Sequence, residues 1–231
     1  MNKILLGTLL SIFTFSASAN VVINTTRVIY PAEKKEVSVQ LLNTGENPSL
    51  VQAWIDDGDA NSTPETARVP FLLTPPVVKV EGKNGQQLRI KFTQGNLPQN
   101  HESIFYLNVL DIPPVADDSA GKNVMQIAVR SRIKLFYRPA GLTMSAKEMD
   151  KHIQLVKTAN GVKINNPTPY YLNLVGITAS GLKPNLLDDG LVIAPGAEKS
   201  VTANIPNNIK QFTLVMIDDF GSLNKFTVTS Q

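Results

Sequence analysis

The chain reads as all-β, with two β-sandwich domains. Three features predict this. Short runs rich in Val, Ile, Leu, Phe and Tyr recur between clusters of Pro, Gly, Asn and Asp. No stretch sustains an apolar repeat of about 3.6 residues, and the one helical signal, Ser145-Ala146-Lys147-Glu148, has the pattern of a capping box and reads as a single turn in a linker. The break Arg138-Pro139-Ala140-Gly141 separates a dense series of strands from a sparser one. With 42% hydrophobic and 18% charged residues, and 14 Gly and 15 Pro in 231 residues, the chain is neither disordered nor collagenous.

Residues 1–19 read as a secretory signal peptide rather than as part of the fold. Lys3 supplies the positive charge, Ile4–Phe15 is an apolar run too short to span a bilayer, and Ala17-Ser18-Ala19 is a small-x-small cleavage pattern before Asn20. A short N-terminal anchor is the alternative. The first domain, residues 20–142, is predicted to carry strands over Val21–Arg27, Val37–Asn43, Leu50–Asp56, Phe71–Thr74, Val77–Val80, Leu88–Phe92, Ser103–Asp111 and Val124–Tyr137. The second, residues 143–231, is predicted to carry Ile153–Lys157, Val162–Asn165, Tyr171–Ala179, Leu191–Ile193, Val201–Ile205, Phe212–Asp218 and Lys225–Val228.

Composition excludes several kinds of chemistry. A net charge of +3 spread along the chain gives no footprint for nucleic acid. The absence of Cys excludes disulfides, thiolate metal sites and cysteine catalysis, and the two histidines, His101 and His152, offer little for a metal site or a triad. Asp57, Asp59 and Asn61 resemble the start of a calcium loop, but Ser62 stands where Gly is required and no Glu follows at the twelfth position, so this is a solvated turn. With no phosphate loop, paired metal ligands or nucleophile elbow, neither a cofactor nor an enzyme is expected.

One predicted strand differs from the rest. Val124–Tyr137 far exceeds the usual five or six residues. Met125, Ile127, Val129, Ile133 and Leu135 share one phase, whereas Gln126, Ala128, Arg130, Arg132 and Lys134 share the other. The apolar phase either fills the domain's own core throughout or, in its first half, lies on an edge open to strand addition.

Five ordered segments together resemble the PapD-like periplasmic pilus chaperones. Leu97-Pro-Gln-Asn-His-Glu-Ser-Ile-Phe-Tyr-Leu-Asn-Val-Leu-Asp-Ile-Pro113 is similar to the family signature, with His101 a departure from its usual charged or amide residue. Arg130-Ser-Arg-Ile-Lys-Leu-Phe-Tyr-Arg-Pro139 resembles the long donor strand and the exit between domains. Asn43 with Pro48-Ser-Leu-Val-Gln-Ala-Trp54, Pro70-Phe-Leu-Leu-Thr-Pro-Pro76, and Ile217-Asp-Asp-Phe-Gly221 match three further segments.

The resemblance implies two immunoglobulin-like domains in a boomerang with a cleft between them. It implies a periplasmic chaperone that binds, folds and caps pilus subunits by donor-strand complementation and delivers them to an outer-membrane usher. By motif position, Arg27 and Lys134 would anchor the subunit's C-terminal carboxylate, Met125, Ile127 and Val129 would fill its hydrophobic groove, and Glu102, Arg138 and Asp219 would form an interdomain ion network. The short polar segment Val115–Asn123, without a cysteine pair, is similar to the short-loop subclass that serves rod-like pili. Self-association of the free form stays open. The competing reading is an exported immunoglobulin-like subunit or adhesin of a surface fibre, against which stand the lack of Cys and of a donor extension before the first strand.

Overall fold

The computed structural model describes residues 20–115, 125–179, 181–182 and 185–230. The signal peptide, residues 116–123 of the polar connection and Val124 lie outside them. Among the described residues, sixteen strands build two sandwiches, each around its own hydrophobic core.

In the first, β1 (Val21–Ile23), β3 (Val37–Asn43), β7 (Gly85–Phe92) and β5 (Phe71–Thr74) form one sheet in the order β1-β3-β7-β5. The facing sheet has the order β2-β9-β8-β4-β6, from β2 (Arg27–Pro31), β9 (Val129–Arg138), β8 (Ser103–Ile112), β4 (Ser49–Asp56) and β6 (Val77–Val80). All pairings are antiparallel except β2 with β9. Alternation drives the assembly: in β3 and β7, Val39, Leu41, Leu88 and Ile90 point inward while their neighbours face water. An aromatic cluster of Tyr30, Phe71, Phe92, Phe105 and Tyr137, with edge and tilted contacts, fills one part of this core. The Tyr30 hydroxyl stays satisfied there, taking the Phe92 amide and facing the carbonyls of Lys34 and Lys35.

The second sandwich packs a three-stranded sheet, β10 (Gln154–Thr158), β11 (Gly161–Asn165) and β14 (Glu198–Thr202), on a four-stranded one. The latter has the order β13 (Leu191–Ile193), β12 (Leu172–Thr178), β15 (Gln211–Ile217) and β16 (Leu223–Thr229). Buried Asn166 ties its turns together, donating to the carbonyls of Tyr170, Ile193 and Ala194 and accepting from Thr168. Among the described residues no helix is long and apolar enough to cross a membrane.

Four expectations change. The predicted strand Val21–Arg27 is two strands in opposite sheets, because the chain bends at Thr25, whose hydroxyl bonds the Arg27 carbonyl. The Ser145 signal opens a 3-10 helix, Ala146–His152, rather than a single linker turn, and Met149 on it is buried in the second core. The strand expected at Val201–Ile205 lies at Glu198–Thr202, where β11 supplies its partners. The long strand begins at Val129, not Val124: β8 pairs with it only up to Asp111–Val129, and residues 125–128 have no ladder to join.

Candidate functional site

The site lies where the five-stranded sheet of the first sandwich meets the second. Arg27 and Lys134 are direct partners in the parallel β2–β9 pair. Their side chains therefore project from the same face, opposite to Val28, Tyr30, Leu135 and Tyr137, which belong to the core. Thus two cations that are distant in sequence stand side by side.

Neither cation is fully compensated. Arg27 is buried, donates from Nη1 to the Ile217 carbonyl across the junction, and leaves its Nε without a partner among the described residues. Burial weakens its hold on its proton, with Asp219 and then Asp218 pulling the other way. Burial also pushes the Lys134 ammonium below the usual lysine range, and repulsion from Arg27 and then Arg132 adds to the shift. A pair of partly desolvated cations favours an incoming carboxylate: a guanidinium can fork onto it and an ammonium adds a point charge.

Arg27 lines a cavity of about 480 Å³ between the sandwiches, together with Phe136, Tyr171, Asn173 and the Ile217–Phe220 turn. Phe136 packs on Tyr171 across the junction, ring centres 5.8 Å apart. The turn is tightly made, since Asp218 accepts from the amides of Phe220 and Ser222 and from Asn224 Nδ2. Gly221 has φ +84°, and a Cβ there would stand 2.5 Å from Thr26 Oγ1, so the approach of the turn to the first sandwich requires glycine.

The structure brings Glu102, Arg138 and Asp219 together. Arg138 Nε lies 2.7 Å from Glu102 Oε1, and its Nη1 and Nη2 fork onto Asp219 at 2.7 and 2.8 Å. Glu102 Oε2 accepts the Tyr171 amide at 2.9 Å, and its own amide bonds the Pro169 carbonyl, so this residue is also tied to the second sandwich. Burial works against the charge on Arg138, but Asp219 and Glu102 more than offset it and the proton is held more tightly than usual.

The apolar phase of the long strand is exposed where it leaves the fold. Met125 is 87%, Ile127 64% and Val129 38% exposed, whereas Leu135 is fully buried. On one side β9 pairs with β8 from Val129 to Tyr137. On the other β2 covers only Lys134 to Arg138. Among the described residues, Val129–Ile133 thus present an unpaired edge, the condition for strand addition.

Comparison with known proteins identifies the family. Residues 20–143 match the PapD N-terminal domain of pili and flagellar-assembly chaperones, and residues 148–227 match the PapD C-terminal domain of pili assembly chaperones. The chain belongs to the PapD family of pilus-assembly chaperones. The chaperone is 46% identical over 218 residues to the probable fimbrial chaperone YehC of Escherichia coli K12, an alignment covering 93% of this chain and 90% of YehC. Its fold is similar to the crystal structure of the CupB2 chaperone of Pseudomonas aeruginosa, with a TM-score of 0.77 and 31% identity over 91% of this chain and 100% of that one. It is also similar to a structure of the Salmonella enterica SafB chaperone in complex with SafA pilin, with a TM-score of 0.75 and 26% identity over 90% of this chain and 95% of that one.

Other polar residues of the chaperone escaped the sequence reading. Arg132, on the polar phase of the long strand, forks onto Asp56, which is 1% exposed. Asp218 and the Ile217 carbonyl sit beside Arg27; their segment matched a family motif, but only Asp219 of it was given a role.

Proposed function

We propose that this chaperone captures pilus subunits by lending them the start of β9 while holding their C-terminal carboxylate between Arg27 and Lys134. The observation that carries this reading is that one strand bears both halves of the site. Its free edge, with exposed Ile127 and Met125 in the segment just before it, lies at one end, and Lys134, beside Arg27, lies at the other. A subunit strand anchored at the cations would run along the open edge in a fixed register. In this reading the subunit is then passed to an outer-membrane usher, and in its absence the same edge supports concentration-dependent self-association. Co-expression with a pilus subunit tests the function: the expected product is a soluble one-to-one complex. Polymerisation of this chain alone would instead identify a fibre component.

The Glu102–Arg138–Asp219 network sets the angle between the domains, taken as residues 20–142 and 143–231, and so shapes the cleft. Arg138→Ala leaves Glu102 buried opposite Asp219. It is expected to lower unfolding free energy by about 2–3 kcal/mol, less than for a fully dry pair because Asp219 is partly exposed. Thermal melting reads the loss, and X-ray scattering should show a broader spread of overall dimensions. Unchanged scattering would remove the network's role in the angle.

The compartment is the periplasm, reached through cleavage after Ala19. N-terminal sequencing of the protein released by osmotic shock is expected to begin at Asn20; a retained Met1 or a membrane-bound product would refute the cleavage.

A further inference from the structure

The face of the five-stranded sheet that carries the two cations also carries a charged pair unused by the site. β9 enters the sheet at Val129 with a partner on one side only, so its first turns of ladder are its least supported. Two arginines on the polar phase tie this stretch down. Arg132 reaches from β9 over Tyr106 of β8, its guanidinium 3.7 Å from the ring centre, to fork onto Asp56 of β4. Asp56 is itself fixed by Asn108 Nδ2 and the Gly58 amide, each at 2.7 Å. Arg130 donates to the Ala60 carbonyl at 2.8 Å. A guanidinium forked onto a buried carboxylate is among the strongest side-chain ties, and this one spans three strands.

We propose that Arg132 is a positioning residue for subunit capture: its strap to Asp56 holds the start of β9 against β8, so that the open edge and Val129 are in register before a subunit arrives. The inference rests on the donor-strand reading above. A frayed donor would have to be ordered during binding, and that entropy cost would be subtracted from affinity. Loss of the positive charge of Arg132 would also weaken attraction for a carboxylate, so the charge-neutral double variant below, which removes Arg132 and Asp56 together, separates the strap from electrostatics.

The test measures association and dissociation rates of a pilus subunit diluted from denaturant, with hydrogen exchange along β9 of the free chaperone. Arg132→Ala is expected to slow association about tenfold, the cost of ordering one or two residues on binding, with dissociation unchanged. Exchange at Val129–Ser131 should quicken while Leu135–Tyr137 stay protected. Arg132→Lys, which keeps the charge but loses the fork, should fall between. The double variant Asp56→Asn with Arg132→Gln leaves no buried unpaired charge, should fold, and should associate as slowly as Arg132→Ala. Wild-type or faster association by these variants, or faster exchange throughout the first core, overturns the strap's role. Arg27→Ala in the same assay separates the two ideas. If it loses capture while Arg132→Ala binds normally, the strap falls and the anchor stands. If it binds normally while Arg132→Ala is slow, the anchor falls and the strap stands.

Discussion

Arg27→Ala and Lys134→Ala are each expected to abolish stable subunit complexes while leaving a folded chaperone. The two cations share a register position and a face, and neither has a full set of partners. Removing either leaves a desolvated subunit carboxylate under-compensated, at a cost of about 2–5 kcal/mol, or roughly thirty-fold to several-thousand-fold in affinity. Lys134→Ala is the cleaner probe, because Arg27 also bonds the Ile217 carbonyl across the junction. The anchor carries a pH signature too. By the anchor reading the carboxylate would bind protonated Lys134, whose pKa lies below the ordinary lysine range in the free chaperone and would be raised by a bound carboxylate. Affinity should therefore be level at neutral pH and fall as pH climbs through that depressed value, earlier than an ordinary lysine would give, with Lys134→Arg removing the fall. Capture of a co-expressed subunit reads the first effect and titration calorimetry the second. Wild-type recovery by both alanine variants would remove the carboxylate-anchor role.

The strands were legible wherever alternation ran between clear turn residues: Val37–Asn43, Phe71–Thr74, Val77–Val80 and Leu191–Ile193 form with the bounds their patterns predict. The split of Val21–Arg27 was not, because no Gly or Pro marks it and a threonine hydroxyl makes the bend. Strand length failed at Val124–Tyr137 for a different reason. Apolar alternation reports which face a residue would occupy, whereas a strand exists only where a neighbour supplies hydrogen bonds, and β8 runs out at the level of Val129. The pairing of Arg27 with Lys134 was visible only through family motifs, since nothing local in either segment indicates a parallel partner so far along the chain. Arg132 and Asp56 carried no signal at all. Their meeting depends on sheet order, which puts β8 between them and lets a long side chain cross it.

Ile127→Asp is expected to leave the chaperone as stable as wild type and yet deny it the subunit groove. At 64% exposure Ile127 contributes little to the chaperone's own core, so the free protein should tolerate a carboxylate there. In the complex, by the donor-strand reading, Met125, Ile127 and Val129 enter an apolar groove, each worth about 1.5–3 kcal/mol when fully buried, or about 5–9 kcal/mol gross before ordering costs. An ionised side chain in that groove forfeits its share and adds a desolvation penalty of several kcal/mol. Gln126→Asp is the matched control. Residue 126 points the other way on an extended strand, and its amide donates to the Pro113 carbonyl instead of joining the apolar row. Losing that bond should cost no more than about 1 kcal/mol. Strand addition demands this contrast between adjacent positions; a non-specific sticky surface does not, because on it both carboxylates would weaken capture alike. Melting each variant alone beside a subunit-capture assay separates the outcomes. Equal loss by both variants would rule out the proposed register, and unfolding of free Ile127→Asp would return Ile127 to the chaperone's own core.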